Sequence, residues 1–309
     1  MFDLVIIGGS AASTAAGIYA ARRRLKLKMV CKEFGGEVAT SGEILNYPGM
    51  TETEGFALTA KFKEHLKYNE VEPEEGVTVT GIVKKGEGNF EVFGRKIDTP
   101  VSYQAKAVIV ATGVHPRHLG VPGEDVFYGK GVTYCTTCDG PLYKNKKVVT
   151  IGGGNSALES ALMLAEIASH VTLLNKNDKF KGEQVLIDKV SHSPKIEVLY
   201  QAQTKSIAGE QFVKKVIYED KKSQTEKSVA TDGVFVHIGL IPNSDFIPAA
   251  VKKTPLGEIE INMKAQTSVP GFFAAGDVTN VPYKQIAIAT GQGVTATLSA
   301  VEYLNKLTA

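Results

Sequence analysis

Apolar positions and glycines follow each other in an arrangement that occurs twice along the chain. Residues 4–22, LVIIGGSAASTAAGIYAAR, and residues 148–166, VVTIGGGNSALESALMLAE, each open with a short apolar run, pass through glycines and continue with small residues at helical spacing. This order predicts a strand, a tight turn and a helix, as at the start of a dinucleotide-binding sheet. The repeat therefore predicts two nucleotide-binding sheets.

A second pair of stretches shows that whole domains are duplicated. Residues 107–116, AVIVATGVHP, and 233–242, GVFVHIGLIP, both run an apolar strand into glycine and then proline. Between these markers, short alternating runs predict an antiparallel hairpin or meander in each copy. The strand GFFAAGD (271–277) and the last helix do not fit the second copy. We therefore predict an α/β protein with two Rossmann-like domains of the three-layer ββα type, the second inserted into the first, with bounds 1–116 plus 243–309 and 117–242.

Composition narrows the class of partner. The 309 residues suit two domains, and the charges nearly balance, with 35 Lys and Arg against 33 Asp and Glu. The basic run Arg22–Arg24 does not recur along a face, so nucleic acid is not expected as a partner. No apolar run approaches the roughly 18 residues of a membrane span, and the N-terminal strand leaves no room for a secretory signal. Three cysteines indicate a reducing, cytoplasmic setting.

The two glycine turns differ in quality. The first, Gly8-Gly9-Ser10-Ala11-Ala12-Ser13, keeps only the first glycine of G-x-G-x-x-G, although its small residues still let a helix N-terminus meet phosphate. The second, Gly152-Gly153-Gly154-Asn155-Ser156-Ala157, keeps two. After this turn, the stretch VTLLNKNDKFKG (171–182) has neither an acidic residue at the strand end to hold a ribose diol nor an arginine cluster for a 2′-phosphate. Lys176 and Lys181 could reach a phosphate as point charges, and a solvated turn is the alternative.

Cys135 and Cys138 form a C-x-x-C pair a few residues before the first strand of the second copy. His115-x-x-His118 upstream offers a zinc alternative, and a structural disulphide is another. We favour redox cycling between dithiol and disulphide, and we expect no metal. Asp139 follows directly and could donate a proton to a leaving thiolate if burial raises its pKa. Cys31 is expected to be a buried small hydrophobe.

Several motifs together resemble the low-molecular-weight thioredoxin reductases of bacteria and archaea over essentially the whole chain. They are FGGE (34–37), LNYPG (45–49), VIVATG (108–113), YCTTCDG (134–140), IGGGNS (151–156), FFAAGDV (272–278) and KQIAIATGQG (284–293). The second half is also similar to the flavoprotein subunit of alkyl hydroperoxide reductase. That family carries an additional N-terminal thioredoxin-like domain with its own cysteine pair, which we do not expect in the present chain.

The resemblance implies FAD in the discontinuous domain, held by Gly8, Gly9, Ser10, Ala11, Ala12, Glu33, Gly36, Glu37, Asn46, Gly113, Gly276, Asp277, Gln285, Ile286 and Ala287. Gly152, Gly154, Asn155, Ser156, Lys176 and Lys181 would hold NADPH or NADH in the inserted domain. Glu37 departs from the usual glutamine, and a carboxylate beside reduced flavin would oppose its anionic form. The family's His-Arg-Arg stretch for NADPH is replaced by Asn175, Lys176 and Asn177, so ferredoxin or another non-nicotinamide donor is an alternative.

The activity implied is that of an FAD-dependent thioredoxin-disulphide reductase. Cys138 would face the flavin, Cys135 would attack the partner's disulphide, and Asp139 would act as the acid. The resemblance also implies a homodimer and a rotation of the two domains about the chain crossings near residues 114–120 and 240–245. Alternatives are a reductase of a peroxiredoxin or glutaredoxin-like carrier and, outside enzymes, a zinc-binding nucleotide module.

Overall fold

The computed structural model describes residues 1–41 and 43–307. The chain divides into two compact units. Unit 1 comprises Met1–His115 and Ile241–Ala309, and unit 2 is the intervening Pro116–Leu240. The predicted α/β class, with a second Rossmann-like domain inserted into the first, is confirmed.

The elements of each unit include a strand, a glycine turn and a helix in succession, as the repeated sequence pattern predicts, together with runs of consecutive strands. In chain order they are β1 (Phe2–Ile7), α1 (Ala11–Arg22), β2 (Leu27–Val30), α2 (Glu37–Thr40), β3 (Glu43–Ile44), β4 (Thr53–Glu54), α3 (Gly55–Tyr68), β5 (Val77–Gly86), β6 (Asn89–Lys96), β7 (Thr99–Val110), β8 (Val114–Pro116), β9 (Val132–Thr133), α4 (Thr136–Asp139), a 3₁₀ turn (Gly140–Tyr143), β10 (Lys147–Ile151), α5 (Asn155–Ile167), β11 (His170–Leu174), α6 (Gln184–His192), β12 (Ile196–Leu199), β13 (Ala202–Gly209), β14 (Val213–Asp220), β15 (Thr225–Ala230), β16 (Gly233–Val236), β17 (Leu240–Pro242), β18 (Phe272–Ala274) and α7 (Ile286–Leu307).

In unit 1 the long strand β7 forms both parallel and antiparallel pairs. Its C-terminal half lies parallel to β1 on one side, with Leu4 opposite Ala107, and parallel to β18 on the other, with Phe273 opposite Ile109. Its N-terminal half pairs antiparallel with β6, which pairs with β5. The parallel part is apolar on both faces, and Leu4 and Ala107 are fully buried, as expected for a sheet covered on both sides.

Unit 2 repeats the plan with its two sheets separated. Strands β12, β11, β10, β16 and β9 are parallel, with β10 in the centre. Strands β13, β14 and β15 form an antiparallel meander. At the two chain crossings, β8 and β17 pair with each other.

Small residues let helices α1 and α7 approach closely in unit 1. A Cβ atom on Gly293 would lie 2.0 Å from the carbonyl oxygen of Ala12, so any side chain there would displace the helix. The Thr297 hydroxyl donates a hydrogen bond to the Ala16 carbonyl at 3.2 Å. The last helix therefore completes the first domain. Within the described ranges, none of the helices has the length and apolar character needed to cross a bilayer.

Candidate active site

A cavity of about 480 Å³ opens in unit 1 at the carboxyl ends of β1 and β7. Ligands bind at this edge in open α/β sheets. The turn after β1 brings its backbone against the end of β7, because Gly8 has φ +144° and its Cβ would lie 2.2 Å from the Ala111 carbonyl oxygen. Only glycine permits this approach, which leaves the start of α1 lining the cavity.

Two helices begin at the cavity wall. Ser10 precedes α1, and its hydroxyl donates to the Gly35 carbonyl at 2.6 Å, which fixes the following loop. Ala11 and Ala12 open α1, and Ile286 opens α7. The first amides of a helix have no acceptor within that helix and carry its positive dipole end. This edge of the cavity therefore suits an anionic ligand.

The structure brings most of the predicted cofactor residues to one cavity. Those that line it are Gly8, Gly9, Ser10, Ala11, Ala12, Glu33, Gly36, Glu37, Gly113, Gly276, Asp277 and Ile286. Three others are not part of its lining. The Asn46 amide donates to Gln285 Oε1 at 3.4 Å, so these two lie together, and Ala287 lies in the first turn of α7.

Asp277 is the acid most affected by its surroundings in the cavity. Burial raises the pKa of its carboxyl to about 6, the nearby Lys284 ammonium opposes this shift, and the Glu37 carboxylate adds to it. Lys284 is held elsewhere, because its Nζ donates to Glu258 at 2.9 Å and to the Thr279 carbonyl at 2.6 Å. Cys31 also lines the cavity, and burial raises its thiol pKa to about 12, so it stays protonated.

Asn243 is a cavity residue that the sequence prediction missed. Its backbone N–H donates to Gly113 at 3.0 Å and its side-chain Nδ2 to the Thr112 carbonyl at 2.8 Å. Its Oδ1 accepts a hydrogen bond from His115 Nδ1 at 2.8 Å, since its Nδ2 already donates to Thr112. Asn243 thus fixes the turn after β7. Its signal was the Pro-Asn pair at the second crossing, but the sequence does not identify its partners.

In unit 2, Cys135 and Cys138 form a disulphide with 5.3 Å between their Cα atoms. Cys135 precedes the short helix α4, and the Cys138 N–H donates to Cys135 Sγ at 3.2 Å. A donor aimed at sulphur stabilises a thiolate when the disulphide is reduced. Both cysteines are partly exposed.

Asp139 lies at the end of α4, one residue after Cys138. Burial raises the pKa of its carboxyl, and a short hydrogen bond from the Thr133 hydroxyl opposes the shift. The Thr133 oxygen also accepts the Cys135 N–H at 3.2 Å. Asp139 and Cys135 are therefore tied to one hydroxyl, and the carboxyl holds a proton to higher pH than an exposed aspartate does.

A buried polar group inside the C-x-x-C stretch escaped the sequence prediction. Thr136 Oγ1 lies 2.6 Å from Ser160 Oγ and 2.8 Å from His237 Nε2. Burial lowers the pKa of His237 to about 4, so its ring is neutral at physiological pH. These bonds tie α4 to α5 and to the residue after β16.

The second glycine turn has the form that the sequence predicts. Gly152 has φ +153° and its Cβ would lie 2.2 Å from the His237 carbonyl oxygen, whereas a Cβ on Gly154 would enter open space. Helix α5 begins at Asn155, whose side chain exchanges hydrogen bonds with Glu183 at 2.8 and 3.1 Å. Ser156 follows in the first turn of α5.

Asn175 occupies the position after β11 where a ribose-binding carboxylate would lie. It is 1% exposed, and both ends of its amide are engaged, by the Asn177 N–H at 3.1 Å and the Lys179 carbonyl at 3.0 Å. Its side chain therefore closes the turn. Lys176 and Lys181 are exposed on that turn.

The residues of the zinc alternative have other contacts. His115 bonds Asn243, and His118 Nδ1 lies 3.3 Å from the Tyr134 hydroxyl. Within residues 1–41 and 43–307, no group of three or more His, Cys, Asp or Glu side chains is arranged to hold a metal ion.

The chain matches a known protein family along most of its length. The family described as pyridine nucleotide-disulphide oxidoreductase matches residues 2–293. A subunit of alkyl hydroperoxide reductase in Pseudomonas aeruginosa is 41% identical over all of this chain, which spans 59% of that relative's length. A relative from Bacillus subtilis named NADH dehydrogenase is 40% identical over 98% of this chain and 58% of its own.

Among solved structures, thioredoxin reductase from Streptococcus pyogenes superposes with a TM-score of 0.89 at 33% identity, covering 99% of both chains. The resemblance inferred from the sequence motifs is thus confirmed for both groups of relatives.

Proposed function

Because the chain belongs to the pyridine nucleotide-disulphide oxidoreductase family, we propose that it is an FAD-dependent disulphide reductase that carries electrons from NADPH or NADH to a thioredoxin-like protein. The observation that carries this proposal is the Cys135–Cys138 disulphide, partly exposed and flanked by an aspartate whose pKa burial raises. A disulphide that serves only the fold has no need of an adjacent acid.

The cavity of unit 1 fits FAD. Two helix N-termini supply amides for the pyrophosphate and for the flavin's electron-rich end, and the close approach of Gly8 to Ala111 leaves the start of α1 lining the cavity. Asp277 and Glu33 offer carboxylates for hydroxyl groups. When bound, FAD supplies two-electron exchange between a nicotinamide and a disulphide.

The protein's own residues carry out the thiol exchange. In the reduced pair, the Cys135 thiolate attacks the partner's disulphide, a mixed disulphide forms, and the first partner thiolate leaves with a proton from Asp139. Cys138 then loses its proton and attacks the Cys135 sulphur, the second partner thiolate leaves and takes up that proton, and the Cys135–Cys138 disulphide is restored. Two electrons and two protons have passed to the partner.

The glycine turn of unit 2 is the proposed nicotinamide nucleotide site. Gly152 shapes the turn, Gly154 leaves space for a pyrophosphate, and the amides of Asn155 and Ser156 open helix α5. Lys176 and Lys181 would approach the adenosine end. A reduced ferredoxin is the alternative donor, since Asn175 supplies no carboxylate for a ribose.

A peroxiredoxin-type carrier is the second candidate partner, with a glutaredoxin-like carrier as a variant of it. The observation that favours it is the 41% identity with a subunit of alkyl hydroperoxide reductase, against 33% and 38% with two thioredoxin reductase structures. From the family resemblance we also propose a cytoplasmic homodimer.

Anaerobic titration of the purified protein tests both the cofactor and the donor. We expect flavin absorbance in the isolated protein and its bleaching by NADPH, by NADH or by reduced ferredoxin. The reduced enzyme is then offered a thioredoxin, a peroxiredoxin and a glutaredoxin in parallel, with the Cys135→Ser variant as the control. Stoichiometric zinc without flavin, or a bleached flavin that reduces none of the carriers, would contradict the proposal.

A further inference from the structure

Glu124 is a buried carboxylate in unit 2 with three uncharged donors. It is 2% exposed. Its Oε1 accepts the Leu119 N–H at 2.8 Å and the Tyr134 hydroxyl at 2.9 Å, and its Oε2 accepts the Gly120 N–H at 2.8 Å. A carboxylate is costly to bury unless its oxygens are satisfied. This one is therefore committed to these donors.

The donors to Glu124 lie on two segments, one that follows the first chain crossing and one that leads directly into Cys135. Leu119 and Gly120 lie on the segment that follows the first chain crossing at β8. Tyr134 directly precedes Cys135, and its ring also lies against His118, with centroids 5.2 Å apart. Glu124 thus connects the incoming segment to the neighbour of the attacking sulphur.

Cys135 is held on its other side through Thr133, which accepts the Cys135 N–H and bonds Asp139. The residues before the cysteine are therefore anchored in two directions, one toward Asp139 and one toward Glu124. These contacts restrict the backbone of Cys135 and therefore the orientation of its sulphur. Restricting a reacting atom to the reactive orientation raises the rate of the reaction, here thiol–disulphide exchange.

We infer that Glu124 is a positioning residue for Cys135, acting through Tyr134, an inference that rests on the proposed function as a protein-disulphide reductase. The carboxylate holds the incoming segment and the Tyr134 side chain as one piece. Cys135 is thereby kept ready both to attack a partner's disulphide and to close onto Cys138.

Two variants separate positioning from simple stability. Tyr134→Phe removes one hydroxyl and leaves both bonds to the Leu119–Gly120 backbone. Glu124→Gln keeps the size of the side chain but has a single acceptor oxygen, so its amide group must face at least one N–H or hydroxyl donor. Glu226→Gln, at an exposed site on β15, is the matched control.

The first readout is steady-state reduction of the carrier that the wild type accepts. We expect kcat to fall about 5-fold in Tyr134→Phe and about 10-fold or more in Glu124→Gln, with KM changed less than 2-fold. Transfer from the flavin to a small artificial acceptor should stay at the wild-type rate. The two effects should combine less than additively in the double variant, because both residues belong to one hydrogen-bonded group.

The second readout needs no partner protein. In a glutathione redox buffer, the equilibrium constant for closing the Cys135–Cys138 disulphide should fall about 3-fold or more in both variants, since a looser Cys135 lowers the effective concentration of one thiol near the other. Folded variants with wild-type values in both readouts would overturn the inference. If Glu124→Gln does not fold, Tyr134→Phe decides. A wild type that reduces no carrier defeats the proposed function, while the glutathione equilibrium still tests the positioning.

Discussion

The Nε2 atom of His237 lies 2.8 Å from the hydroxyl oxygen of Thr136, a residue between the two cysteines of the redox pair. The same hydroxyl lies 2.6 Å from Ser160 Oγ. His237 also packs its carbonyl against the turn at Gly152. One buried hydroxyl therefore connects the disulphide helix with the start of the proposed nucleotide-binding turn.

Replacing Thr136 with valine should destabilise the protein by about 1–3 kcal/mol, because Ser160 and His237 would each lose a buried partner. Thr137→Val is the matched control, since Thr137 is exposed in the same C-x-x-C stretch. Urea unfolding measures both. Equal stability of the two variants would show that the Thr136 hydrogen bonds contribute nothing.

Cys138→Ser and Cys135→Ser should each abolish protein-disulphide reduction while leaving flavin bound. The cavity proposed for FAD is lined by residues of unit 1, whereas both cysteines belong to unit 2. Visible absorbance and carrier reduction are measured on the same preparations. Colourless variants, beside a yellow wild type, would refute the assignment of the flavin to the cavity.

Asp139→Asn should slow carrier reduction about 100-fold, as expected on loss of a general acid. Burial raises the pKa of Asp139, so the wild-type rate should stay high while the carboxyl is protonated and decline as pH rises through that raised pKa. The variant should lack this decline. A pH series of kcat provides the test, with the exposed Asp188→Asn as control. An unchanged pH profile in Asp139→Asn would exclude Asp139 as the donor.

The cofactor-free protein should gain stability from Asp277→Asn near neutral pH. In the folded chain the pKa of Asp277 is about 6 against an ordinary 3.8, so the folded state favours the protonated carboxyl. The stability that this proton contributes is complete below pH about 4 and is lost as pH rises through about 6. The asparagine variant should therefore exceed the wild type by about 3 kcal/mol at neutral pH and match it in acid. A pH-independent difference, measured by denaturant unfolding, would contradict this.

Two glycines of the same turn should respond differently to alanine. Gly152→Ala places a Cβ 2.2 Å from the His237 carbonyl oxygen at a positive φ and should lower stability by more than about 1 kcal/mol. Gly154→Ala enters open space and should leave stability within about 0.5 kcal/mol. Its methyl group would instead obstruct a pyrophosphate, raising the KM for the nicotinamide donor. An unchanged KM in Gly154→Ala would contradict the assignment of the nucleotide site to this turn.

Local patterns predicted the strand–turn–helix units and the inserted second domain. The apolar runs at β1 and β10 and the glycines that follow them are contiguous in sequence, so the geometry at Gly8 and Gly152 could be read directly. The C-x-x-C spacing likewise identified Cys135 and Cys138 as a candidate redox pair.

Contacts between distant segments were beyond sequence reasoning. Asn243 binds Thr112 and His115 across more than a hundred residues, and nothing near Asn243 indicates those partners. The meeting of Thr136 with His237 depends on the parallel placement of β9 beside β16, which only the assembled sheet provides. These polar contacts fix the sites without leaving a local motif.

The interleaved course of the chain sets an order for assembly during synthesis. Residues Pro116–Leu240 are contiguous and can fold as soon as they leave the ribosome. The first sheet, by contrast, must wait for β18 and for α7, whose Gly293 fits against Ala12. A nascent chain that stalls before α7 would thus contain a folded inserted domain and a first sheet whose apolar face is still uncovered. Such a chain would be prone to aggregate until α7 is synthesised.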